Sequence, residues 1–410
     1  MANRVVITGM GAVTPIGTGV DKYWNALVSG INGIDRITKF DVECYRCTLA
    51  AEVKDFDPLN HFDKMFVNKT DLYVLFALAA ADEAVKQSGI STNVDPDEFG
   101  VIFGSGVGGI NTLCDEHTKL AARGNTRVNP QFVPKMIINI ASGQIAIKYG
   151  AHGNAMCLST ACATGTSAIG EAYRSIKDGY AKAIICGGAE AAINPLCVAG
   201  FQNLQALSDA TNRDEASLPF DARRKGFVMG EGAGVLVLED YDHAKKRSTE
   251  ILAEVVGYGA TCDAHHITAP NEDALYTSKA VIKALEGVEY NPSSLYVNAH
   301  GTGTHLNDIT ETATFKKAFG EDAYKITVSS TKSMTGHMLG AAGAVEAIAC
   351  VKTLGTGIVA PTLNLNSPDP ACDLDYTPNT AVKKDIDTAI STSLGFGGHN
   401  ACIAFKRIEK

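Results

Sequence analysis

The stretch CLSTACATGTSAIGEAYRSIKDG, residues 157–179, opens as an apolar run and closes as an amphipathic helix. Between the two stands Cys162, flanked by Ala161, Ala163 and Gly165, so bulk is stripped from around a thiol where a strand becomes a helix. The spacing predicts a helix over 163–177, with Ala168, Ile169, Ala172, Tyr173 and Ile176 on one face. Arg174, Lys177 and Asp178 fall on another face, and Gly179 supplies a C-cap. Unpaired N–H groups and the dipole at a helix start favour thiolate, and small neighbours leave room for a bulky acyl group. The competing reading is inert filler, since free cysteine is among the most buried residue types. Cys157, inside the apolar run, fits that description.

The pattern recurs. Short β-branched runs that end in Gly or Ser lead into helical segments at RVVITGMG, GVIFGSGVGG, AMCLSTAC and AKAIICGGAE. Such alternation argues for α/β layers with chemistry at strand ends. In the second half SLYVNAHGTGT (294–304) is a strand running into a Gly/Thr turn. YKITVSSTKSMTGHMLGAAGAVEAIACVKTLG (324–355) reads as a strand, a polar loop and a helix over 337–353 closed by Gly355. That helix is apolar nearly all round, so it should be buried. Cys162 and His337 thus each lie near a helix start after a strand, as in a weak duplication with a divide near 250–256. At the N-terminus Gly9, Gly11 and Pro15 should break the apolar stretch into strand plus turn, which is no signal peptide.

Composition narrows the function classes. A chain of 410 residues, 45% hydrophobic and 20% charged, is ordinary for a globular protein of two or three units. No apolar run reaches the ~18 residues of a membrane span, and the expected location is cytoplasmic. Eleven cysteines, an odd number, argue for reduced thiols. The pair Cys44 and Cys47 lacks the second pair of a zinc ribbon. A net charge of −9 disfavours nucleic acid and anionic membranes as partners. GSGVGG (104–109) fits a dinucleotide fingerprint, but no ribose-binding acid follows at the right distance. No P-loop, HExxH or GxSxG motif occurs.

Three further constellations carry chemistry. NAHGTGTHLND (298–308) places His300 at a strand end, with Thr302 and Thr304 able to hydrogen-bond a flexible polar arm. STKSMTGH (330–337) puts Lys332 and His337 in one loop, and Glu346 in the apolar helix beyond needs a partner such as Lys332. LGFGGHN (394–400) has the paired glycines that let a loop press its amides against a reacting centre.

Together, a thiol nucleophile, two separated histidines, a Lys–Glu pair and a Gly-Phe-Gly-Gly loop resemble the β-ketoacyl-acyl-carrier-protein synthases, condensing enzymes of the thiolase fold. The chain looks most similar to their type II elongation branch, from VVITGMGAVTPIG through FVMGEGAG (227–234) to SLGFGGHNA (393–401). The resemblance implies an α/β, thiolase-like fold, a duplicated five-layer α-β-α-β-α architecture with halves 1–253 and 254–410, and a homodimer. It implies Cys162 as nucleophile, His300 and His337 as the catalytic histidines, Lys332 with Glu346 in support, and Phe396, Gly397 and Gly398 as oxyanion and gating loop. Pantetheine contacts would fall on Thr268, Thr302 and Thr304, and the acyl pocket on Val107, Phe132 and Phe201. Lys64, Lys69 and Arg127 fall on positions expected to dock an acidic acyl carrier protein. Asn68 and Gln205 are neutral where relatives often carry a basic residue, and Val107 stands where isoleucine is common. No metal or organic cofactor is implied. Among rivals, a thiolase would place a second cysteine where this chain reads GFGGHN, and a chain-length factor would lack Cys162. A polyketide ketosynthase shares every catalytic residue.

Overall fold

The computed structural model describes residues 2–408. The first half supplies β1 (Val5–Thr14), β2 (Phe99–Gly104), β3 (Ala155–Leu158), β4 (Ala183–Glu190) and β5 (Gly232–Asp240). The second supplies β6 (Ala253–Cys262), β7 (Leu295–Asn298), β8 (Thr327–Ser329), β9 (Thr388–Gly395) and β10 (His399–Lys406). Their spatial orders are β1-β5-β4-β2-β3 and β6-β10-β9-β7-β8, the same order with every number raised by five. The senses match as well. In each half the first two pairings are antiparallel and the last two parallel. The halves join edge to edge where Val5–Ile7 pairs antiparallel with Ala253–Val255.

Alternation along the strands sorts side chains between layers. Val101, Phe103, Ile185 and Val235 point outward to α1 (Leu72–Ser88) and α2 (Ile140–Tyr149). Their neighbours Ile102, Ile184 and Leu236 point inward to α3 (Thr164–Lys177). In the second half Val297, Ile390 and Ala404 face the outer helices α4 (Leu275–Ala284) and α5 (His305–Phe319). Tyr296, Ala389 and Ile403 face inward, to the same central core that holds α3 and α6 (Ala342–Thr356). The result is the five-layer sandwich expected from sequence.

Three local expectations need correction. Gly9 and Gly11 do not end the first strand, which runs on to Thr14. They let α1 lie against its backbone: a Cβ would sit 2.1 Å from the Ala84 carbonyl oxygen at Gly9 and 1.9 Å from that of Ala80 at Gly11. The helix expected over 337–353 starts only at Ala342, because Gly336 (φ +62°) and Leu339 (φ +48°) hold left-handed backbone just before it. It passes through Gly355 and stops at Gly357, whose φ of +68° makes the cap. Finally, Leu339–Thr356 does reach membrane length, with mean hydropathy 1.2, but 83% of it is buried in the central layer.

Candidate active site

Cys162 lies in a single tight turn, Ala161–Ala163, wedged between β3 and α3. Its bare surroundings have a packing cause as well as a chemical one. A Cβ on Gly165 would stand 2.7 Å from the Ala344 nitrogen of α6, and one on Gly395 would stand 2.5 Å from the Thr160 carbonyl oxygen. The backbone N–H groups of Phe396 and of Cys162 itself are directed at Sγ. Burial nevertheless pushes the thiol up to about 12, against the pull of the Lys332 charge and these amides. Burial thus outweighs the Lys332 charge and the two amides, and favours the thiol over the thiolate expected from a helix start.

His300 follows the end of β7. Its own N–H donates to Glu311 Oε1 at 2.7 Å, and the Gly301 N–H to Glu311 Oε2 at 2.7 Å. His337 is strapped along its backbone, donating to the Val228 carbonyl at 2.7 Å and accepting from the Gly230 N–H at 2.8 Å. Both side chains are buried, and both pKa values fall well below the usual histidine range. Burial is the main cause, followed by the positive charge of Lys332. The rings are thus neutral, each with one N–H to give. Neither Nδ1 has a hydrogen-bond partner among the described residues. Lys332 is fully buried in an ion pair with Glu346, as the sequence suggested.

One cleft of about 400 Å³ gathers Cys162, His300, His337, Phe396, Phe201, Thr268, Thr302, Thr304 and Gly398. Aromatic contacts run across it: Phe396 to Phe201 at 6.3 Å, Phe201 to Phe227 at 5.5 Å, Phe227 to His337 at 5.2 Å. Gly397 (φ +91°) and Gly398 (φ +76°) turn the loop so that the Gly397 N–H reaches the Ile267 carbonyl at 2.7 Å. Val107 and Phe132 do not line this cleft; Val107 is exposed and Phe132 half-buried.

The family description "Beta-ketoacyl synthase, N-terminal domain" matches residues 2–244, and "Beta-ketoacyl synthase, C-terminal domain" matches 252–366. The chain belongs to the beta-ketoacyl synthase family. It is 48% identical over 409 residues to the 3-oxoacyl-[acyl-carrier-protein] synthase 2 of Synechocystis, covering 99% of this chain and 98% of that one. It is 47% identical to the protein of the same name from Staphylococcus aureus, covering 99% of each. A type II PKS ketosynthase, solved with its acyl-carrier protein and bound to the hexaketide, superposes with TM-score 0.93 at 33% identity and covers 100% of both chains. A beta-ketoacyl synthase from Burkholderia phymatum gives TM-score 0.90 at 34% identity, covering 99% of this chain and 100% of that one.

Within this synthase fold, Lys64, Lys69 and Arg127 are all exposed. The charge missing at Asn68 is made up nearby, where Lys135 Nζ donates to the Asn68 carbonyl at 3.2 Å. Gln205 lines the mouth of the cleft. Sequence reasoning passed over Glu311 and Arg224. Glu311, whose pKa burial pushes up to about 7, sits among buried Thr310, Thr312 and Thr314 on a helix with no apolar stripe to mark it as internal. Arg224 lines the cleft, with its guanidinium on Asp369 at 2.7 Å and on the His305 carbonyl at 3.1 Å. Its only sequence signal was a run of basic residues that reads as surface.

Proposed function

We propose that the chain catalyses decarboxylating condensation of a malonyl-carrier thioester with an acyl group held on Cys162, giving a 3-oxoacyl-carrier protein two carbons longer in fatty acid elongation. The observation that carries this reading is the meeting of one thiol, two neutral imidazoles and two sulfur-directed N–H groups in one cleft. Sγ attacks the acyl thioester, the oxyanion is held by the Cys162 and Phe396 amides, and the thiol proton leaves with the carrier thiol. Malonyl carrier then binds along Thr268, Thr302 and Thr304. His300 and His337 donate to its thioester oxygen as carbon dioxide departs, and the resulting carbon attacks the acyl group, whose bond to Sγ breaks to release Cys162 as thiolate, which takes a proton from solvent. Burial keeps both imidazoles neutral, and the charge of Lys332, paired with Glu346, adds to the effect.

In this reading the half 1–253 brings the nucleophile and 254–410 the two histidines. Lys64, Lys69 and Arg127 receive an acidic acyl carrier protein. The working form is a cytosolic homodimer, formed along β3, the outermost strand of its half, beside exposed Val107 and Val133. Val107, Phe132 and Phe201 bound the acyl chain, the first two from that interface. The deciding experiment is mass spectrometry of Cys162 after incubation with acyl carriers of graded length, together with carbon dioxide release from malonyl carrier. Unmodified Cys162 under conditions of turnover would sink the proposal. The solved polyketide neighbour favours a second reading, a ketosynthase for poly-β-keto chains. Preference for poly-β-keto over saturated carrier substrates would select it.

A further inference from the structure

The duplication places a second copy of the Cys162 turn inside the molecule. Leu339–Ala341 is also a single tight turn; it comes after β8 and an inserted one-turn helix, Lys332–Thr335, and runs straight into α6 as Ala161–Ala163 runs into α3. The two open with matching left-handed residues, Ala161 at φ +49° and Leu339 at φ +48°. Cys162 therefore corresponds to Gly340, three residues beyond the nearest sequence analogy, His337.

The strands beside the turns correspond too. Gly395 ends β9 against the Cys162 turn, where its absent Cβ would stand 3.2 Å from the Cys162 nitrogen. Glu190 ends β4 against the second turn, and its Oε2 accepts from the Gly340 N–H at 3.0 Å. In one half the N–H at the centre of the turn faces sulfur; in the other, an internal carboxylate caps it. The same carboxylate accepts from the Gly106 N–H at 2.8 Å, the Ser105 hydroxyl at 2.7 Å and the Val107 N–H at 3.3 Å. Glu190 is wholly buried and is not among the residues that line the cleft. A buried carboxylate is costly to keep, and an apolar side chain would fill the space without that cost. What it uniquely does here is to satisfy backbone donors of two separate loops at once.

We propose that Glu190 is a positioning residue for condensation: it caps the duplicate of the Cys162 turn and thereby fixes the loop carrying Val107 to the segment leaving His337. The loop proposed to bound the acyl chain and the decarboxylating side of the cleft are then held in register by one side chain. This rests on the roles proposed above for Cys162, His337 and Val107. A negative charge at this place also opposes ionisation of Cys162.

The test compares wild type with Glu190→Gln, Glu190→Ala and Ser105→Ala, each checked for thermal stability and counted by burst acylation. Readouts are the acyl-length profile of Cys162 loading, decarboxylation of malonyl carrier, and the pH midpoint of Cys162 alkylation by iodoacetamide. In Glu190→Gln the amide keeps one acceptor oxygen: at the Oε2 place it still spans Gly106 and Gly340 but sets its NH2 against the Val107 N–H, and at the Oε1 place it releases the Gly340 N–H, so the tie between the loops is weakened either way. Decarboxylation kcat should fall about tenfold per loaded site, equivalent to the loss of about 1.4 kcal/mol. The acyl-length profile should broaden, and the alkylation midpoint should move to lower pH. Glu190→Ala should lose about a hundredfold. A wild-type profile and kcat in Glu190→Gln would overturn the proposal. So would an equal loss of loading and decarboxylation with an unchanged profile, which marks a merely structural side chain. Should both Glu190 variants fail to fold, Ser105→Ala decides, since it removes one donor to Glu190 and leaves only the Gly108 N–H without its acceptor: a shifted length profile supports the proposal and an unshifted one overturns it. Failure of wild type itself to load or condense would instead overturn the functional reading, while the alkylation midpoint still reports on Glu190.

Discussion

His300 and His337 meet edge to face, ring centroids 5.3 Å apart and planes at 89°. Among the described residues neither ring has a carboxylate partner to hold a proton, and both lie near the Lys332 charge. Decarboxylation of malonyl carrier should therefore stay level as pH falls from 8 through 6, since no imidazole is protonated there. His300→Ala and His337→Ala should each lose decarboxylation by about two to three orders of magnitude, the scale for removing one oxyanion donor. Acylation of Cys162 should fall less. Stopped-flow burst acylation beside carbon dioxide release separates the two steps, and equal loss of both would assign the rings a structural role.

The same shifts bear on stability. The folded pKa of each histidine lies below its unfolded value of about 6.5, so below that pH the unfolded chain binds more protons. Stability from these two sites is fully present above about pH 6.5 and declines as pH falls through and below it. Urea unfolding midpoints between pH 7.5 and 5 should fall more steeply in wild type than in a His300→Asn, His337→Asn variant.

Cys162 should alkylate slowly. With its thiol pushed up to about 12 by burial, iodoacetamide at pH 8 should label exposed Cys44 and Cys262 first. Replacing Lys332 by Met removes the strongest influence lowering that value and should slow labelling further. Peptide mapping over a time course measures the order, and prior labelling of Cys162 would contradict the burial argument. Cys162→Ala should abolish condensation. Cys162→Gln, whose amide oxygen can occupy the oxyanion site, should still decarboxylate malonyl carrier.

Lys332 and Glu346 are a fully buried pair, and Glu346 Oε2 has no partner among the described residues. Removing one member leaves a buried charge uncompensated, so Glu346→Leu should cost about 3–5 kcal/mol of stability. The double variant Lys332→Met, Glu346→Leu should recover much of that loss while remaining inactive. Chemical denaturation of the two variants decides; a double variant no more stable than the single would refute the account.

At the rim, Lys64→Glu with Lys69→Glu should raise KM for carrier-bound substrate, most at low ionic strength, because exposed charges act on encounter and are screened by salt. Each contact is worth no more than about 1 kcal/mol. A small pantetheine thioester should react almost as before, and Gln205→Arg should strengthen carrier binding modestly. Equal slowing of both substrates would place the docking face elsewhere.

The fold was legible because α3 and the strands declare themselves by period: Ala168, Ile169, Ala172, Tyr173 and Ile176 are all buried, as their spacing required. What misled was glycine. Gly11 reads as a strand breaker, yet its missing Cβ is what lets α1 sit on β1, a close approach that involves residues some seventy positions apart. Gly355 reads as a helix stop, yet the stop belongs to Gly357, where the backbone turns left-handed. At the site, Cys162, His300 and His337 stood out by residue type beside turns. Glu190 and Glu311 did not, because their work is to accept backbone N–H groups, and no sequence pattern names the donors. The thiol's ionisation was also misjudged, since a helix start can be seen in sequence and the depth of burial cannot.

The seam between Val5–Ile7 and Ala253–Val255 has a consequence for how the protein is made. α3 emerges from the ribosome long before its packing partner α6, which spans Ala342–Thr356. Until then the inward faces of β2, β4 and β5, with Ile102, Ile184 and Leu236, have only part of their cover. Vectorial synthesis therefore passes through a stage in which a nearly complete first half waits with a raw apolar surface, the kind of species that aggregates or recruits a chaperone. Neither half is a self-sufficient folding unit, and a truncation after residue 253 should yield insoluble chain.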